Sequence, residues 1–161
     1  VFVRDLPLEE AVEIYDLRAA MDEMVGRKLA TSITPEQSKQ ARAIVDRMEA
    51  AARSGDVHTY HLLNLQFHDA LVSFAGNRKL LAIYRKLVKE LALFRRRNLD
   101  DRSVLPHSVA EHRQILRAIA SGDAAAAGRA MYEHVIESKA RMLKGEAVRA
   151  HPARTRAARK G

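Results

Sequence analysis

Asn64 and His68 stand one helical turn apart in NLQFHDALVSFAGN, residues 64–77, beside an apolar stripe of Val57, Tyr60, Phe67, Leu71 and Phe74. An amide and an imidazole at i and i+4 share one face of a helix, which is a chelating spacing. Two more histidines occupy apolar stripes. His112 falls in the series Leu105, Val109, His112, Leu116, Ile119, and His134 in the series Ala127, Met131, His134, Ser138, Met142. Each series is a continuous helical face. Three imidazole nitrogens and one amide oxygen make a donor set for a first-row divalent cation, with zinc, nickel and iron the metals that suit it. Any one of these histidines alone reads more simply as a satisfied core residue. The spacing leaves both readings open, and three histidines on separate inward stripes favour a shared site. Asn64 is the weak donor, because a neutral amide oxygen holds a cation less firmly than a carboxylate.

Arg18 lies on the Ile14, Arg18, Met21, Val25 stripe. A guanidinium there needs an anion, which Glu13 or Asp22 can supply within the chain, or else its stem must snorkel. Arg95 belongs to the run Arg95, Arg96, Arg97 near a helix end, where the helix dipole already favours cations.

These residues need rods to hold them, and the chain supplies six. Helical periodicity dominates and no stretch alternates with period two for long. Leu8 to Ala30 forms the first helix. TPEQ opens the second, with Thr34 as cap, Pro35 in the first turn and Gln37 completing a capping box, and it runs to about Ser54. Gly55 breaks the chain, Asp56 caps a third helix to Phe74, and AGN stops it. The fourth, Arg78 to about Asn98, is apolar on more than one face and is expected to be central. NLDDRSVLP is the longest loop. A fifth helix ends at SGD, residues 121–123, and a sixth runs from Ala124 to about Leu143. The expected architecture is an all-α antiparallel bundle. His112 lies ten residues before Gly122 and His134 twelve after it. At about 1.5 Å per residue they differ by only about 3 Å in height across an antiparallel hairpin.

The 161 residues fit one domain, and the absence of cysteine excludes disulfides and thiolate sites and suits a reducing cytoplasm. No uncharged apolar run reaches the roughly 18 residues of a membrane span, so no membrane association is expected. The net charge of +8 is concentrated at one end. From Lys139 onward eight basic residues face Glu146 alone, about +7, which leaves the body nearly neutral. HPARTRAARKG lacks apolar periodicity and reads as a disordered, solvated tail.

EIYDLRAAMDEMVGRKLA, NLQFHDALVSFAGN, SVAEHRQILRAIASGD and MYEHVIESK, in this order and separation, resemble the effector-binding domain of GntR-type bacterial transcription regulators, the FadR or FCD subgroup. The likeness covers about residues 1–144. It implies a helical bundle whose cavity holds a metal through an acidic or amide residue and three histidines, here Asn64, His68, His112 and His134. Many members have aspartate where this chain has Asn64, which bears on affinity and metal identity. The resemblance also implies a small organic acid bound beside the metal, with Arg18 as its partner, and a homodimer; Arg95, read from the residues alone, is the second effector candidate. The resemblance further implies a winged helix-turn-helix upstream that would carry operator binding. On that basis residues 1–6 read as the end of a wing strand and linker, 7–144 as the effector-binding domain, and 145–161 as the basic tail. The rival reading is a metal-dependent enzyme, for which Glu111 and Glu133 are the candidate bases. Adjacent helical positions point about 100° apart, so these glutamates are expected to face away from the set or orient a neighbour.

Overall fold

A computed structural model of the chain describes residues 6–98 and 102–151, the side chains of residues 93–98 excepted. The expected wing strand, residues 99–101 of the loop before the fifth helix, and the end of the basic tail fall outside these residues. Six α-helices and one short 3-10 turn, Arg102–Val104, account for the described secondary structure. The helices are α1 (Leu8–Ser32), α2 (Pro35–Ser54), α3 (Val57–Phe74), α4 (Arg78–Asn98), α5 (Leu105–Ala120) and α6 (Ala124–Ala150).

Their ends follow from local chemistry. Thr34 Oγ1 accepts from Gln37 N at 3.2 Å while Thr34 N donates to Gln37 Oε1 at 3.0 Å, closing the expected capping box. Asp56 caps α3 through Thr59 N at 3.0 Å. Asn77, expected only as part of a stop, also caps α4 through Leu80 N at 3.0 Å. Asp123 does the same for α6. Gly55 and Gly122 take φ of +70° and +75°, the left-handed turn that separates helices.

Two expectations need correction. The central pair is α1 with α6, and α4 is peripheral: Leu80, Tyr84 and Leu91 point inward while Ile83 is 55% exposed. Among its described side chains, α4 therefore shows one buried stripe and an outward-facing Ile83. The sixth helix also passes Leu143 and continues to Ala150. Buried Met142 anchors that extension, an Arg149–Glu146 pair at 2.6 Å braces it, and the cation in the last turn suits the dipole.

α1 and α6 approach closely because Gly26 has no side chain: a Cβ there would sit 2.5 Å from the Ala127 carbonyl oxygen. The core divides into a large cluster around Val25, Phe67 and Met131 and a smaller one around Ala11, Tyr15 and Val135. Along α1 the change falls between Ala19 and Val25, and along α6 between Met131 and Val135. Asp22 and His134 fall within those intervals, and Arg18 stands one turn before Asp22.

Candidate metal centre

The apolar stripes of α3, α5 and α6 deliver one histidine each to the interior, and all three are buried. His68 Nε2 lies 3.2 Å from His112 Nε2 and 3.1 Å from His134 Nε2. The three rings offer one nitrogen each within 4.8 Å of one another. Nitrogens bound at about 2.0–2.1 Å to one tetrahedral ion stand roughly 3.3 Å apart, so the spacing fits a shared cation.

The hydrogen bonds behind two of the rings decide what the front nitrogens offer. His112 Nδ1 lies 2.6 Å from the Ser108 carbonyl oxygen, which can only accept, so Nδ1 carries the proton. His134 Nδ1 lies 2.8 Å from Glu111 Oε2. Burial alone would raise the Glu111 carboxyl, but the bonds from His134 and Arg141 outweigh it and bring it down to about 2, leaving an ionised acceptor. In a neutral ring the opposite nitrogen is then a lone pair. Two such lone pairs face the third imidazole across 3.1–3.2 Å, an arrangement a cation satisfies. Burial pushes His112 down to about 3, and burial together with the neighbouring rings and Arg18 pushes His68 well below the ordinary histidine range. Burial also lowers His134, against the pull of Glu111. All three are neutral near pH 7 and ready to ligate. Phe67 packs edge-on against His68 and His112, with centroids 5.3 and 5.1 Å away, and fixes both rings from the apolar side.

Asn64 is half-buried one turn before His68, and both line a cavity of about 80 Å³ with Arg18, Ser108, His134 and Arg141. Asn64 therefore shares the space in front of the histidines rather than their packed interior. Arg18 is buried. One of its Nη atoms donates to the Tyr84 hydroxyl at 3.2 Å and lies 3.5 Å from Asp22 Oδ2, whereas Nε is buried without a partner. The intrachain anion expected from the sequence is present, but it leaves part of the guanidinium uncommitted. The side chain of Arg95 lies outside the described residues.

Of two further participants, Arg141 was not singled out from the sequence, and Glu111 was named only as a candidate base of the rival reading. Arg141 lines the cavity and grips Glu111 with two bonds, 2.9 and 3.0 Å. Glu111, expected to face away or orient a neighbour, orients His134 across the α5–α6 hairpin. Arg141 follows His134 by seven residues, a same-face spacing that could have revealed it.

The profile of the FCD domain family matches residues 13–137, a span that contains all three histidines, Arg18 and Glu111. The chain belongs to the FCD domain family. The FCD domain is the effector-binding domain of GntR regulators. The same fold occurs in Escherichia coli McbR/YncC, with a TM-score of 0.81 at 14% identity over 88% of this chain and 68% of that one. It also occurs in a Streptococcus agalactiae GntR protein, with a TM-score of 0.69 at 24% identity over 80% of this chain and 57% of that one. No curated protein matches the sequence. No described helix of this FCD domain is long and apolar enough to cross a membrane.

Proposed function

We propose that this FCD domain senses a small organic acid through a divalent metal centre and serves a cytoplasmic, dimeric transcription regulator. His68, His112 and His134 would hold the ion, zinc being the best match to three imidazoles, with Asn64 as a weaker oxygen donor. When bound, a divalent cation supplies an electrophilic anchor for a carboxylate oxygen. The chain's own contribution is to orient that carboxylate: Arg18 faces the same cavity with donors to spare, and a guanidinium pairs a carboxylate in two places. Acid binding would favour one packing of α1, α3 and α6 and so bias how two upstream DNA-binding domains are spaced. Operator binding would belong to those domains, and two half-sites call for a homodimer.

The observation that carries this reading is the convergence of three Nε2 atoms, two of them locked as lone pairs from behind. The enzyme reading is weaker because Glu111, the carboxylate at the site, is engaged by His134 and Arg141. Elemental analysis of the purified chain, followed by thermal-shift titration with organic acids with and without chelator, tests it. Metal near one equivalent per chain and an acid-dependent shift that chelator and His68→Ala both abolish are expected. Neither metal nor shift would overturn it, and metal-dependent turnover lost in His68→Ala would favour the enzyme.

A further inference from the structure

We infer that the cavity selects a doubly charged anion, a short dicarboxylate, over a monocarboxylate of the same chain length. The inference rests on the metal reading above and adds the charge of the ligand. Arg18 faces Asp22, and Arg141 faces Glu111, so each buried or half-buried pair sums to zero. The three imidazoles are neutral, two of them because Nδ1 donates backward and leaves Nε2 bare. Asn64, one turn from His68 in the same cavity, is also neutral. With a divalent cation in place, this lining therefore holds two positive charges that none of its side chains offsets. A monocarboxylate leaves one of them buried and unmatched, whereas a dicarboxylate cancels both, and unmatched charge is costly away from water.

The donors fit the same ligand. Arg18 Nε and His68 Nδ1 are both buried without a partner, on residues that line the cavity. When His68 ligates through Nε2, its Nδ1 carries a proton, so two unsatisfied N–H groups await acceptor oxygens. Ser108 adds a hydroxyl to the wall, whereas the Ser138 hydroxyl is already spent on the His134 carbonyl oxygen at 2.9 Å.

Calorimetric titration of the zinc-loaded chain with succinate against butyrate, and malonate against propionate, tests this in wild type and in Asn64→Asp. Wild type should bind each dicarboxylate about tenfold or more tighter than its monocarboxylate match. Asn64→Asp supplies one negative charge at nearly constant volume, and the ratio should shrink, chiefly by weaker dicarboxylate binding. Chelation of wild type should collapse the preference as well, an arm that stands even if the variant folds poorly. Equal or tighter monocarboxylate binding in wild type, no binding of either acid, or a ratio unchanged by Asn64→Asp overturns the inference while leaving a zinc-binding site intact. A chain that takes up no zinc overturns both this inference and the reading beneath it.

Discussion

Glu111 on α5 accepts the Nδ1 proton of His134 on α6 at 2.8 Å, although its own neighbour in sequence, His112, belongs to the same histidine cluster. The carboxylate thus serves the histidine across the hairpin. Glu111→Ala should weaken metal binding about 10- to 100-fold, the usual cost of losing such an outer partner. Glu111→Gln, which keeps an acceptor but not the charge, should lose less. Chelator competition gives the affinities, and the metal-free far-UV circular dichroism of both variants should match wild type. Nitrogen NMR of the metal-free protein should report His134 moving off its Nδ1–H tautomer in Glu111→Ala.

Gly26→Ala should damage fold and site together. The new methyl would meet the Ala127 backbone at 2.5 Å, and neither helix backbone can yield locally. Separating α1 from α6 should cost about 1–3 kcal/mol. It should also move Arg18 relative to His134, so weaker acid binding should accompany the lower melting temperature, measured by calorimetry on the same preparation.

Much of this was legible in the residues. Four of the five helix starts after α1 follow from caps within four residues, at Thr34, Asp56, Asn77 and Asp123, whereas α5 opens behind an uncapped Val104 and shows only through its stripe; the histidine stripes follow from a period that any inward helix must show. What escaped were pairings fixed by how rods pack. Which residue Glu111 meets depends on the rotation of α5 against α6. Tyr84 reaches Arg18 from α4, a helix whose mixed apolar faces suggested a central place it does not occupy. The length of α6 was misjudged because its last turns are basic and solvent-facing, which resembles a tail until the Arg149–Glu146 pair is seen.

Asp22 gives the stability profile a component of unusual sign. Burial raises its carboxyl from 3.8 to about 6, against the pull of Arg18. Between those values the folded chain keeps a proton that the unfolded chain has released, so this group makes stability fall as pH rises through that window. Below 3.8 both states are protonated and above about 6 both are ionised, so the effect is confined to the interval. Asp22→Asn lacks the slope. Urea unfolding should show the variant gaining on wild type by at most about 1.4 kcal/mol per pH unit across that range.

Leu17 and Met24 lie two turns apart on α1, 56% and 47% exposed, and Ile83 on α4 is 55% exposed. If these apolar residues meet a second copy, wild type should sediment as a dimer at micromolar concentration. Leu17→Glu with Ile83→Glu should shift it to monomer while the melting temperature of the isolated subunit is preserved. A wild-type monomer would remove the proposed assembly.

His134 sits near the middle of α6, and from it an unbroken helix runs to Ala150, about 24 Å away along the axis. A stiff rod gripped at one point behaves as a lever: a tilt of about 5° pivoting at His134 would swing its far end by about 2 Å. Whatever occupies the histidine cluster therefore has a mechanical handle on the distant end of the molecule, with no relay of intermediate side chains required.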